Sequence, residues 1–437
     1  MSVGVATYRP TTIAHALAAL EAWLETMRGP EGYFGPVAHW WQQSLLYTGP
    51  GHDWRYEGII AGYVTLWQRT GSARWLNKAC RAGDDLLEAQ MPSGHFSASA
   101  FEQNPASAGT PHEAACDVGL LLLAKTLRAH NDLTWSTYAD AAERNLRNFY
   151  VRQLWDEAAQ SFRDSPNYPS FVPNKVATLC EALFLLAELH GDERWVSHYA
   201  LPSLERILNF QVRGGPLDGA IAQNSLGSRR IEAYFPLYIA RCVPALLRGY
   251  AWDNDERYLD AALRALRFVG RYCADDRPPP TVIYTNRQVI RGPAWVAALG
   301  DVLRAASLLR PYGFDTDLRH LRQRMLHGQD TSGGIQTATG FAYQTGRWGG
   351  ALPDFRDLLH VVGWCDKAFR YLAEQIETEL PTVTPGTFAT ECRFRGHKLF
   401  FVETPDVVEA TDRHGVQYRW RKGSSWAEVA NPTFWLH

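Results

Sequence analysis

Residues 49–71, GPGHDWRYEGIIAGYVTLWQRTG, open on a dense polar and aromatic cluster and continue as an apolar helix. Ile59, Ile60, Ala61, Gly62, Val64 and Leu66 leave that helix little polar surface on any side, which predicts burial on both faces. His52, Asp53, Trp54, Arg55, Tyr56 and Glu57 are nevertheless gathered at its amino end.

Segments of the same kind recur. HDWRYEGIIAGYVTLW, PHEAACDVGLLLLAKTL, PNKVATLCEALFLLAEL, RRIEAYFPLYIARCVPALL, RGPAWVAALGDVLRAASLL and DFRDLLHVVGWCDKAFRYL begin near 53, 112, 173, 229, 291 and 354. A spacing of about sixty residues is the mark of an internal repeat. Between them run amphipathic helices such as ARWLNKACRAGDDLLEAQ and ERYLDAALRALRFVGRYC, each with one charged face for water. Alternating exposed and buried helices, six times over, predict a mainly α fold of two concentric rings. After about residue 376 the pattern changes to short alternating runs, with DRHG as a turn, and predicts a small antiparallel β appendage over 376–437 packed on a barrel over 1–375.

This pattern, over residues 11 to 375, resembles the (α/α)6 toroid of six-hairpin glycosidases, polysaccharide lyases and sugar epimerases, and in variant form of terpene cyclases and prenyltransferases. The resemblance implies that the inner helices point the same way and that their amino ends line a central cavity, which accounts for the polar cluster at 52–57. Loops such as EAQMPSGHFSAS, NFQVRGGPLDGAIAQN and HGQDTSGGIQTATGFAYQ carry a glutamine beside a turn and then Phe or Ile. They resemble the Gln and Gly loop repeat of terpene cyclases without its tryptophan, and are read as toroid scaffolding. GHDWRYEG also resembles the helix start of unsaturated glucuronyl hydrolases, intracellular toroids with acidic residues near a His-Asp pair.

Composition removes several classes. A formal net charge of −2 gives no basic excess for nucleic acid or an anionic membrane. No run of eighteen apolar residues and no charged-then-apolar leader occurs, so a cytoplasmic protein is expected. Seven dispersed cysteines without CxxC argue against a disulfide framework or a four-cysteine zinc site. Phosphate-loop, dinucleotide and GxSxG motifs are missing. No DxDD-like cluster supports terpene chemistry, and no cofactor or metal is expected, since His112 and Cys116 lack a third ligand.

The helix starts supply the candidate chemistry. Asp53 with Glu57, Glu113 with Asp117, and Asp354 with Asp357 are spaced for one helix face, and glycoside hydrolysis needs two carboxyls about 5–9.5 Å apart. The same acids also suit helix capping. Arg55, Arg229, Arg230, Arg291 and Arg356 oppose the helix dipole, so they either pair with neighbouring acids around the ring or meet an anionic substrate such as a uronate, sulfate or phosphate. His52, His112 and His360 are candidate proton carriers. Trp40, Trp41, Trp54, Tyr56, Tyr234, Trp295, Trp348 and Phe355 suit stacking on sugar rings.

The expectation is a carbohydrate-active enzyme, most simply a glycoside hydrolase acting on an oligosaccharide or uronate-containing sugar. Asp53 and Glu113 are expected as acid and base, with His112 or His360 assisting. Arg55 and Arg230 would bind an anion; Trp54, Tyr56, Glu57, Glu232, Tyr234, Trp295 and Asp354 would complete the site. A lyase or epimerase, a non-catalytic glycan- or lipid-binding toroid, and a terpene cyclase-like protein are the alternatives. The expected partner is a small carbohydrate substrate.

Overall fold

The computed structural model describes residues 12–36, 49–99, 108–227, 229–341 and 352–431. Trp40, Trp41 and Trp348 lie outside the described residues. The first hairpins are α1 (Ile13–Thr26) with α2 (Arg55–Thr70), α3 (Ala73–Ala89) with α4 (Glu113–Ala129), and α5 (Trp135–Asn145) with α6 (Pro173–His190). Then come α7 (Leu201–Phe210) with a split inner helix, α8 (Pro236–Ala240) and α9 (Val243–Asp253), followed by α10 (Glu256–Tyr272) with α11 (Leu299–Leu309). The sixth hairpin joins α12 (Arg319–His327), through the short α13 (Phe355–Leu358), to α14 (Val362–Ala373).

The inner helices close a ring: α2 packs on α4, α4 on α6, α6 on α9, α8 and α9 on α11, α11 on α14, and α14 back on α2. This is the (α/α)6 toroid. Burial follows the sequence pattern. Every residue of α4 from Glu113 to Leu121 is buried, whereas α10 buries Tyr258, Ala261, Ala262, Ala265, Leu266 and Val269 at helical spacing and leaves its charged face outside. Gly71 and Gly191 end α2 and α6 at φ +70° and +67°, the left-handed stop that glycine accepts without strain. Gly58 and Gly300 let α14 nest between α2 and α11, because a methyl group at either would collide with the backbone of residues 366–367.

The repeated glutamines staple neighbouring hairpins. Gln90 Nε2 donates to Gly94 O in its own loop (3.0 Å) and to Ala141 O of the next outer helix (2.8 Å). Gln211 does the same with Gly219 (3.2 Å) and Ala261 (2.8 Å), and Gln329 with Gly333 and Ala16, both at 2.8 Å. The last of these ties the sixth outer helix to the first and so completes the circle.

In the last three repeats, the segments expected to open inner helices at 229, 291 and 354 do not do so. Arg229–Arg230 is a hairpin strand, Ala294–Trp295 pairs with Ala338–Thr339, and Asp354 caps α13. The buried helices proper start at Pro236, Leu299 and Val362, each behind an extended connector.

The C-terminal sheet is a meander of β1 (Phe388–Phe394), β2 (His397–Glu403), β3 (Val407–Asp412), β4 (Gly415–Arg421) and β5 (Ala427–Val429), all antiparallel and in chain order. Asp412 pairs with Gly415 across the DRHG turn. Cys392, Phe394, Leu399, Phe401, Tyr418 and Trp420 join the same hydrophobic core as the barrel. Among the described residues, no helix is long and apolar enough to cross a membrane.

Candidate active site

The amino ends of all six inner helices line one cavity of about 330 Å3. Trp54 and Glu57 enter it from α2, His112 from the start of α4, Asn174, Lys175 and Thr178 from α6, and Tyr238 from α8. Arg241 stands at the break between α8 and α9, Asp301 in the first turn of α11, and Trp364 and Lys367 in the first turns of α14. Pro244 in the first turn of α9 cannot supply a helical N–H, which fits the interruption there.

Aromatic rings form part of the wall. The Trp54 indole meets His112 edge-on at 4.8 Å between centroids and lies 6.4 Å from Trp364. Its Nε1 donates to Gly363 O at 2.9 Å, which fixes the plane of the ring. Trp295 lies behind this wall, 5.0 Å from Trp364, and Phe235 adds an apolar face beside Tyr238.

The ionic groups are organised around Glu57, which is fully buried and accepts hydrogen bonds from both Arg241 and Arg370. Burial alone would raise its pKa, but Arg241, Arg370, Lys367 and Arg304 outweigh that and hold it down to about 2. Glu57 is therefore a carboxylate at any physiological pH. Arg241 also donates to Thr178 Oγ1 at 3.3 Å and faces the Asp301 carboxylate at 3.9 Å, so two acids share one guanidinium. Lys367 Nζ donates to Asp366 Oδ2 at 2.7 Å and to Trp54 O at 3.1 Å. Burial pushes Asp366 up to about 8 despite that lysine. At the rim, Lys175 lies 3.0 Å from Asp164.

Of the residues expected from sequence, the cavity brings together Trp54, Glu57 and His112. The others are placed elsewhere, each for a visible reason. Asp53 precedes the helix and is buried against Arg55, whose Nε lies 3.0 Å from its Oδ1. Glu113 is fully buried and accepts from Ser99 Oγ (2.6 Å), Gly109 N (2.7 Å) and Asn145 Nδ2 (2.6 Å), with His95 Nδ1 at 3.1 Å; it ties loops together rather than facing the cavity. Tyr56 points into the core and donates to Asp85 at 3.2 Å. Tyr234 is core, its hydroxyl on Glu232, and Arg230 pairs with Glu232 at 2.8 Å on an outer hairpin. Asp354 forms a capping box with Asp357 and binds Arg356 beside the C-terminal sheet.

His360 also leaves the cavity. Its Nδ1 lies 2.5 Å from Glu403 Oε2 on β2, while Asp330 approaches Nε2 to 2.8 Å off the donor axis. Burial would lower its pKa, yet the two carboxylates prevail and raise it to about 10. Glu403 also holds Lys422 Nζ and Trp23 Nε1, both at 2.6 Å. The imidazole is thus a charged bolt between barrel and sheet. His52 is likewise a strut, with Nδ1 2.8 Å from Ser97 O and Nε2 2.9 Å from Glu31 O.

Arg55 and Arg356 share one explanation with three arginines of the outer ring. In Asp53-Arg55, Asp192-Arg194, Asp255-Arg257, Asp317-Arg319 and Asp354-Arg356, the Asp Oδ1 accepts the backbone N–H two residues on at 2.9–3.1 Å, and the guanidinium folds back onto the same carboxylate. The acid caps the turn and cancels the cation that opposes the dipole.

Sequence reasoning missed Asp164, Lys175, Arg241, Asp301, Trp364 and Lys367. A signal existed: Arg241 and Asp301 are lone charges, and Asp366–Lys367 an adjacent pair, inside apolar inner-helix segments (YIARCV, AALGDV, WCDKAF). A charge there needs a partner or a cavity.

No protein-family profile matches the sequence, and the search of curated proteins finds no match. Solved structures do resemble it. Cellobiose 2-epimerase from Bacillus thermoamylovorans superposes with a TM-score of 0.61 at 11% identity, covering 83% of this chain and 99% of that one. An unsaturated glucuronyl hydrolase specific for heparin gives 0.57 at 11% identity, over 83% and 96%. An α-1,6-mannanase from Salegentibacter gives 0.55 at 11% identity, over 83% and 99%. At such identities the likeness is one of fold: the chain is an (α/α)6 toroid.

Proposed function

We propose that this chain is a carbohydrate-active enzyme that cleaves a glycosidic bond in the inner-ring cavity, with Glu57 and Asp301 as the carboxylate pair. The observation that carries the reading is the convergence of six helix ends on a concave site where indole faces stand beside two carboxylates bridged by Arg241. Glu57, held ionised, suits stabilisation of the positive charge that develops on the sugar ring, and cannot donate a proton. Asp301 touches Arg241 only at long range and is the group assigned to proton transfer. The toroid neighbours named as saccharide-processing enzymes support the substrate class. Seven free cysteines fit a reducing, cytoplasmic setting.

A second reading, epimerisation through a carbon-bound proton, is favoured by one observation: His112 forms part of the cavity wall against Trp54. Products separate the two. Chromogenic glycosides, unsaturated uronides and free disaccharides are incubated with the protein in deuterated water. Hydrolysis of the saturated glycosides and disaccharides releases new reducing ends with no deuterium on carbon, whereas epimerisation labels carbon; cleavage of the unsaturated uronides is read instead from the loss of their ultraviolet absorbance. Asp301→Asn is expected to lower kcat by about 10²–10⁴-fold. Full activity in Asp301→Asn and Glu57→Gln would overturn the assignment.

A further inference from the structure

We infer that the cavity accepts an uncharged saccharide and discriminates against uronates and other anionic sugars, an inference that rests on the carbohydrate reading above. Each cation that lines the cavity is already engaged: Arg241 and Lys175 by carboxylates, and Lys367 by hydrogen bonds to Asp366 and to Trp54 O. Arg241 is bonded to Glu57 and faces Asp301 at 3.9 Å; Lys367 lies 2.7 Å from Asp366; Lys175 lies 3.0 Å from Asp164. Among the described lining side chains, the formal charges of Glu57, Asp164 and Asp301 cancel those of Lys175, Arg241 and Lys367. Arg370, behind the wall, is spent on Glu57 as well.

A sugar carboxylate entering this space would have to displace an internal acid or sit beside Asp301 or Asp164 without a counter-charge. Either route loses hydration without a compensating pair, and like charges in contact oppose binding. A neutral sugar meets the opposite situation: its hydroxyls donate to carboxylates, and its apolar faces stack on indole. The two arginines that sequence offered as anion binders do not alter this. Arg55 is bonded to Asp53, and Arg230 pairs with Glu232 outside the cavity. Specificity here is a difference between two affinities, and the acids supply the repulsive half of it.

The test is calorimetric titration of the purified chain at pH 7 with glucose and mannose disaccharides, and with the counterpart of each that carries a uronate in its non-reducing ring. The tightest neutral disaccharide is expected to bind at least tenfold more tightly than its uronate counterpart. Asp164→Asn, which unpairs Lys175 at the half-exposed rim, is expected to narrow that ratio at least threefold. A wild-type protein that binds the uronate as tightly or more tightly overturns this inference and leaves the carbohydrate reading standing. Binding of neither kind removes both.

Discussion

Arg241 and Glu57, on opposite inner helices and 184 residues apart in sequence, are joined by a hydrogen bond across the interior of the ring. Arg370 completes the clamp from α14. Three of the six repeats are thereby fastened at the floor of the cavity. Removing the carboxylate from such a buried cluster leaves uncompensated cations, which costs about 3–5 kcal/mol. Glu57→Gln should show that loss in urea or thermal unfolding. The sign with pH follows from the depressed pKa. The contribution of Glu57 is present above its unfolded value of about 4.3 and fades as pH falls toward 2.

Gln329 closes the circle, and its two acceptors are buried carbonyls. Gln329→Ala leaves Gly333 O without that donor and takes the second donor from Ala16 O, a carbonyl inside α1, and should destabilise by about 1–3 kcal/mol. Gln329→Glu should be worse, because a carboxylate offers those carbonyls only repulsion. Gln90, partly exposed, should tolerate the same alanine change better. Unfolding midpoints of the three variants decide this.

His360 should bind its second proton up to about pH 10, in the ion cluster with Glu403 and Asp330. Its folded pKa lies above the unfolded value of about 6.5, so its contribution is complete below 6.5 and is lost as pH rises through 10. Stability of the wild type should fall over that range, and His360→Gln should flatten the slope. An imidazole proton count by NMR at pH 8 gives an independent check. A neutral ring there would contradict the bolt between barrel and sheet.

Asp117 gives a pH slope of the same sign, but its removal should stabilise rather than destabilise. Its carboxyl is fully buried, neither oxygen has a hydrogen-bond partner among the described residues, and burial with the nearby Glu113 raises its pKa well above the usual range. The folded chain keeps a proton that the unfolded chain releases above about pH 3.9, so stability falls as pH rises past that point. Asp117→Asn should raise the unfolding midpoint at pH 7 to 8 and remove this part of the slope.

The toroid was legible because burial leaves its trace on whole helices. The contrast between α4, buried on nearly every side, and α10, charged on one face, survives local exceptions such as Glu113 and Asp117. The site was less legible because it depends on where each helix truly begins. Asp53 and Glu57 are four residues apart, but α2 starts at Arg55, so the helical-face rule does not reach back to Asp53. Glu57 enters the cavity and Asp53 caps. The same displacement hid Asp301 and Lys367, which lie beyond the extended connectors at 291–298 and after α13. Partner choice across 184 residues, as in Arg241 with Glu57, has no local signal at all.

The most direct test is a crystal structure of Asp301→Asn soaked with the disaccharide that binds most tightly in the titration panel. Sugar density against the wall formed by Trp54 and Trp364, within hydrogen-bond reach of Glu57 and Lys367, is the predicted result. Density confined to the outer helices or the C-terminal sheet, with only water among the six helix ends, would contradict the account.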